Sequence, residues 1–159
     1  MADEWLAWAK RVKVYPFFEA RAPKTPQVAN RPLDIRCRVT ARSKSGVILA
    51  QGGRTHGYAL HLEDGHLCFS VRVNGDVREV RGLEVPDGEL DVRAVLDRQA
   101  KMKLFLNGEL VGEGQAASLI PVEPQDELSI GLDTQTAVGN YQSPHPLDGD
   151  VEDVVIETE

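Results

Sequence analysis

The sequence predicts an all-β, antiparallel domain, and three observations predict it. Residues 57–73 read as two strands joined by an Asp64-Gly65 pair, and Asp-Gly suits a type I′ turn because both central residues need φ > 0. About ten short strand-like runs follow one another at the close spacing of a β-sandwich or barrel, with Gly, Pro, Asn or Asp between them. No helical run alternates with strands as a βαβ unit requires, and no repeat of 20 to 50 residues is present. The pattern leaves sandwich and barrel open.

The central hairpin tests its own register. With Asp64 and Gly65 in the turn, Glu63 faces His66, Leu62 faces Leu67, Leu60 faces Phe69 and Tyr58 faces Val71. The large apolar side chains then share one face. Ala59, His61, Glu63, His66, Cys68, Ser70 and Arg72 share the other. A slip of one residue would scramble that sorting. The polar face is expected to be half-wet, as one side of an antiparallel sheet commonly is.

In chain order, residues 3–14 are predicted as the one helix. Trp5, Trp8, Ala9 and Val12 fall at i, i+3, i+4 and i+7, with Asp3 as N-cap and Lys10, Arg11 and Lys13 near the end that favours cations. Residues 15–31 are predicted as a linker, because Pro16, Pro23 and Pro26, with Pro32 beyond, prevent helix and interrupt sheet pairing. Tyr15, Phe17 and Phe18 are too apolar for a free linker and are expected to be anchored.

Residues 33–41 are the cleanest strand: Leu33, Ile35, Cys37, Val39 and Ala41 alternate with polar residues. A strand over 47–51 ends at Gly52-Gly53 before the central hairpin. Asn74-Gly75 turns the chain into a strand over 77–80 whose face assignment is ambiguous. A strand over 90–97 follows, then a third hairpin, 101–106 with 109–112, around Asn107-Gly108. Residues 128–132 are short and apolar, 133–146 form a long polar loop, and 151–156 close the chain. The domain division is therefore 1–31 for helix and linker, and 32–159 for the β domain.

A chain of 159 residues is one domain's worth, with enough length to bury a core. Its apolar content of 42% is that of an ordinary globular chain. The net charge of −7 argues against nucleic acid as partner. The charge is uneven: residues 1–31 hold six bases and three acids, a balance of +3 that leaves −10 for the rest. No apolar run approaches the ~20 residues that span a bilayer, so no membrane partner is expected. Charges and two Trp stand where a signal peptide would have its apolar core. The chain is expected to be cytosolic or cut from a larger one. Cys37 points into the core and Cys68 away from it by alternation, so two free thiols, one of them buried, are expected rather than a disulfide.

Residue type and spacing offer several candidate sites. Glu89 and Asp91 lie two apart on one strand face, as the acid pair of a glycoside hydrolase could. Arg93 stands where the E-x-D-x-E run of laminarinase-type glucanases has its third carboxylate. A solvated strand face explains the pair more simply. The four His lack zinc-ligand spacing, although Cys68 directly opposite His61 pairs two soft-metal ligands. The loop acids Asp133, Asp148 and Asp150 are oxygen ligands of the kind Ca²⁺ takes, which makes calcium the one cofactor considered. Tyr141 and Asn140 in the polar loop are the first candidates for a carbohydrate contact, with Arg54 and His56 as a second pair. Arg36, Arg38 and Arg42 on the outward face of the 33–41 strand form a basic row that a sulfated polyanion could use, and a solvated face explains it more simply. No G-x-S-x-G, P-loop or G-x-G-x-x-G motif is present.

From Gly46 onward the chain resembles the concanavalin A-like lectin/glucanase superfamily, and within it the laminin-G-like domains. The resemblance is carried by G-V-I-L-A-Q-G-G at 46–53, G-Y-A-L-H-L-E-D-G-H-L-C-F at 57–69, D-V-R-A-V-L-D at 91–97 and L-F-L-N-G-E-L-V at 104–111. It implies a two-sheet jelly-roll sandwich. The runs I-G-L-D-T-Q-T-A-V-G-N-Y at 130–141 and L-D-G-D-V-E-D-V-V-I at 147–156 look like the closing segment of large bacterial arylsulfatases, and E-W-L-A-W-A-K-R-V-K-V-Y-P-F at 4–17 looks like the end of their catalytic domain. This implies a non-catalytic accessory C-terminal sandwich that packs in cis on a sulfatase domain, in a periplasmic or secreted parent, and assists recognition of a sulfated carbohydrate. A free-standing carbohydrate-binding module is the alternative, with a glycoside hydrolase behind it. The sulfatase motif C/S-x-P-x-R is absent, so no catalytic residue is carried over.

Overall fold

The computed structural model describes residues 26–124, 127–134 and 136–158, and the backbone of Lys13–Val14. The strands are β1 (Lys13–Val14), β2 (Leu33–Ala41), β3 (Gly46–Gly52), β4 (Gly57–Glu63), β5 (His66–Val73), β6 (Asp76–Glu84), β7 (Glu89–Leu96), β8 (Lys101–Leu106), β9 (Glu109–Gln115), β10 (Leu128–Ile130) and β11 (Gly149–Glu157). They form two antiparallel sheets, ordered β1-β11-β2-β7-β8-β9 and β10-β3-β4-β5-β6. Among the described residues there is no helix. The fold is an all-β jelly-roll sandwich.

Three hairpins follow from three dipeptides. Asp64-Gly65, Asn74-Gly75 and Asn107-Gly108 all have positive φ at both residues, between 50° and 84°. Asp and Asn tolerate the left-handed region and Gly is at no disadvantage there. The β4–β5 register is the one the sequence predicts, with Glu63 opposite His66, Leu60 opposite Phe69 and Tyr58 opposite Val71.

Alternation then builds the core. Leu33, Ile35, Cys37 and Val39 of β2, with Leu90, Val92, Ala94 and Leu96 of β7, face Tyr58, Leu60, Leu62, Leu67, Phe69 and Val71 of β4 and β5. Burying side chains of this size is the main source of stability. Tyr58 keeps its hydroxyl satisfied in the dry interior by donating to Gln51 Oε1 at 2.7 Å, and Gln51 Nε2 donates in turn to the Pro26 carbonyl at 3.0 Å.

Several expectations need correction. The predicted helix lies outside the described residues except at its end. There Lys13 and Val14 pair with Glu152 and Val151 of β11, where they extend a sheet edge instead of closing a helix. Most of the predicted linker also lies outside the described residues; its end is tied down, with Val28 buried and the Val28 and Ala29 N–H groups donating to the Glu123 carboxylate at 3.0 and 2.8 Å. Strands β6 and β9 run longer than predicted. Strand β10 stops at Ile130 because Gly131, at φ 86°, turns the chain. Both Cys are buried and free: Cys68 does point away from the core, but the outer face it occupies is covered.

That covering positions the candidate site. Strand β3 is buried along its whole length, and β4 and β5 nearly so. One face packs on the inter-sheet core. The other lies under the loop that follows β10, where Val138 and Tyr141 pack on Val47, Ala50 and Ala59. The supposedly half-wet face of the central hairpin is therefore dry where His61, Cys68 and Ser70 sit, each with 0% exposure.

Candidate functional site

The outer face of β4 and β5 carries a chain of polar side chains beneath the loop. His61 and Glu63 stand two apart on β4, and Ser70 lies on β5 opposite Ala59. His61 Nδ1 meets Glu63 Oε2 at 2.9 Å, and His61 Nε2 meets Ser70 Oγ at 2.9 Å. A carboxylate only accepts, so Nδ1 carries a proton; in the neutral ring Nε2 then accepts from the Ser70 hydroxyl, and in the protonated ring it donates to Ser70 Oγ. Glu63 Oε2 also accepts from His145 Nε2 at 3.0 Å, which ties the loop to the sheet. Burial pushes the Glu63 carboxyl up, but the His61 hydrogen bond and the His61 and His145 charges outweigh it and hold the group below its ordinary value.

Tyr141 fastens the loop from above. Its ring stacks on His145 at 5.2 Å and meets His61 edge-on at 5.0 Å. Its hydroxyl donates to Asp133 Oδ2 at 2.6 Å, and the same oxygen accepts from the Val138 N–H at 3.0 Å. Burial, followed by the Asp133 charge and hydrogen bond, raises the Tyr141 hydroxyl far above its ordinary value. The Ser143 hydroxyl donates to the Asp133 carbonyl. Asp133 is thus the hub of the loop's own structure.

Ser70, His61 and Glu63 stand in the hydrogen-bond order of a serine nucleophile, base and orienting acid. The surroundings oppose that chemistry. Ser70 is fully buried, and its Oγ also faces Glu79 Oε1 at 3.4 Å. An oxyanion formed there would meet a carboxylate instead of the donors that acyl transfer needs.

Beside this cluster the loop leaves an open cleft of about 440 Å³, lined by Arg54, Arg72, Thr136, Asn140, Tyr141 and Ser143 among others. Three of the four predicted carbohydrate contacts, Arg54, Asn140 and Tyr141, come together here from segments far apart in sequence. His56 does not line the cleft; its Nδ1 accepts from the Asn74 N–H at 3.3 Å and holds the β5–β6 turn. Arg72 was on the polar face in the sequence pattern but was not singled out. Its guanidinium donates to the carbonyls of Val138, Gly139 and Gly75, and neither it nor Arg54 forms an ion pair among the described residues.

The calcium candidates are divided between two places. Asp133 serves the loop, whereas Asp148 and Asp150 flank Arg42 at 3.2 and 3.7 Å. The basic row on β2 is neutralised in the same manner: Arg36 pairs with Asp34, and Arg38 with Asp91 and Asp153. Glu89 is exposed at the start of β7. Asp91, committed to Arg38, lines a second depression of about 410 Å³ on the outer face of the six-stranded sheet. There Arg93 lies over the Phe105 ring at 5.3 Å and pairs with Asp34 at 2.8 Å.

No family model matches the chain, and no curated protein matches it in sequence. Solved structures do match. A native heptameric SAP-like pentraxin from Limulus polyphemus superposes with a TM-score of 0.64 at 15% identity, over 91% of this chain and 74% of that one. The CBM40 of the Ruminococcus gnavus IT-sialidase, bound to α2,3-sialyllactose, gives 0.64 at 14% identity, over 92% and 90%. Domains LG4–5 of the mouse laminin α1 chain give 0.68 at 12% identity, over 88% of this chain and 38% of that one. These likenesses, with the sheet order above, establish that the chain shares the two-sheet jelly-roll sandwich fold of these pentraxin, CBM40 and laminin G domains.

Proposed function

We propose that this chain is a non-catalytic carbohydrate-binding domain that takes a sugar with an acidic group in the cleft between Arg54 and the loop. The observation that carries the reading is the pair of guanidinium groups, Arg54 and Arg72, which line an open cleft beside Asn140 and have no carboxylate partner among the described residues. In a chain of net charge −7, bulk attraction does not bring in an anion, so a local site must. A carboxylate or sulfate accepts two parallel N–H bonds from an Arg fork, and Asn offers both donor and acceptor to hydroxyls. The CBM40 of like fold binds sialyllactose, a sugar with a carboxylate.

Arg54 is exposed and holds up no other side chain, so Arg54→Ala tests the cleft without disturbing the fold. Titration calorimetry against sialyllactose, a sulfated disaccharide and plain lactose is the measurement. Arg54→Ala should weaken an acidic sugar by about tenfold or more, the scale of a lost charged hydrogen bond. Arg38→Ala, on the opposite sheet, should leave affinity unchanged. Equal loss in both variants, or equal affinity for lactose, would sink the proposal.

The wider reading makes this domain the accessory sandwich of an arylsulfatase-like enzyme. It rests on the resemblance at 4–17, 130–141 and 147–156, the last two covering the cleft-bearing loop and most of β11. An open reading frame that continues upstream through C/S-x-P-x-R would support it; one that starts at Met1 would end it.

A further inference from the structure

We propose that His61, Cys68 and Glu79 form a binding site for a borderline-soft divalent metal, with Zn²⁺ as the type. One ligand atom from each of the three residues lies within 4.8 Å of the others. His61 Nε2 stands 3.8 Å from Glu79 Oε1, and Ser70 Oγ lies 2.9 Å from the first and 3.4 Å from the second. Three adjacent strands supply the ligands. His61 on β4 is directly opposite Cys68 on β5, and Glu79 on β6 pairs with Ser70. Antiparallel strands hold such neighbours at fixed spacing, so only side-chain adjustment remains to draw the three atoms to the 2.0–2.3 Å radius of a zinc site.

The surroundings match what such a site needs. Glu63 accepts from His61 Nδ1 at 2.9 Å, which fixes the ring and leaves the lone pair on Nε2, where the Ser70 hydroxyl at 2.9 Å must turn aside as a metal enters. This is the carboxylate–histidine arrangement that orients a ligating imidazole. The Tyr141 ring edge lies against His61 at 5.0 Å and helps keep the site dry. Glu79 retains 24% exposure of its side chain and opens the path for an entering ion. Nitrogen, sulfur and a single carboxylate favour zinc and its neighbours over Ca²⁺ or Mg²⁺.

A divalent ion bound by one thiolate and one carboxylate gives a neutral centre in a buried place. The charges around the thiol are Glu79 and Glu63, which oppose its ionisation, and Arg81, which favours it. A thiol ligates a metal as the thiolate, so its proton must leave when the ion binds. Binding must exchange that proton for the metal: the S–H bond breaks, an S–Zn bond forms, and one proton leaves per ion.

Zn²⁺ titration of the full chain by calorimetry, in two buffers of different ionisation enthalpy, tests this. The expected result is one ion per chain with about one proton released. Co²⁺ in place of Zn²⁺ should show thiolate-to-metal charge-transfer absorption. Cys68→Ala should abolish that absorption and weaken Zn²⁺ at least about tenfold, and Glu63→Gln should weaken it by about 10- to 100-fold. Near-UV circular dichroism of each metal-free variant checks that the fold persists. Arg54→Ala should bind Zn²⁺ like the wild type, which separates this site from the carbohydrate cleft. Zn²⁺ affinity unchanged in folded Cys68→Ala, or a Co²⁺ complex without the sulfur band, would overturn the proposal.

Discussion

Asp133 shows how a residue's chemistry is set by its partners. As a loop acid it reads as a calcium ligand. In the fold it is almost wholly buried, and its Oδ2 is taken by the Tyr141 hydroxyl and the Val138 N–H. Tyr141, the sugar-contact candidate of the polar loop, lines the cleft with its hydroxyl engaged and one ring face against His145. Removal of that hydroxyl leaves a buried carboxylate oxygen short of a donor, a loss of about 1–3 kcal/mol. Tyr141→Phe should therefore lower the urea midpoint without a change in the slope of the transition. A midpoint within error of wild type would show that the Tyr141 hydroxyl adds nothing to what holds the loop.

At the scale of elements, the loop after β10 and the hairpin β4–β5 stabilise each other through Glu63. Its carboxyl lies below the ordinary 4.5 in the folded chain: burial raises it, and the His61 and His145 interactions lower it by more. The folded state thus takes up the proton less readily than the unfolded one. The stability this contributes is fully present above 4.5 and is lost as pH falls through the lower folded value. Metal-free wild type should lose stability across that interval faster than Glu63→Gln, as read by urea unfolding at a series of pH values. Parallel pH profiles for the two would refute the coupling. The hairpin itself was legible, because Asp64-Gly65 and the alternation around it are local signals. Its covering was not. His145 reaches Glu63 across 82 residues of sequence, and a period-2 pattern reports which residues share a face without reporting what lies over it. The same separation hid the pairing of Arg42 with Asp148, 106 residues away. Glu79 carries no such signal, because Val77 and Val80 fall on opposite faces of β6 and the apolar pattern does not say which face is covered.

At the scale of the whole molecule, the sandwich places its stability in the middle of each sheet. Strands β2 and β7 lie inside one, and β4 and β5 inside the other. Strands β6 and β9 each form one edge of their sheet, opposite β10 and β1, and are mostly exposed. The β6 edge carries Asp76, Arg78, Glu79, Arg81 and Glu84, charges that oppose pairing with another chain's edge even though Leu83 is 67% exposed. Amides of β4 and β5, bonded on both sides and covered on both faces, open only when the sandwich does. Those on the outer side of β6 and β9 open by local fraying. Native-state hydrogen exchange should accordingly protect β2, β4, β5 and β7 up to the global unfolding free energy, and protect β6 and β9 far less. If sugar binding acts through the loop as proposed, an acidic ligand should slow exchange in residues 136–141 and leave β9, on the other sheet, unchanged. Uniform protection across all strands, or a ligand effect spread evenly over both sheets, would show that the domain opens as a single unit and that the cleft does not act through its loop.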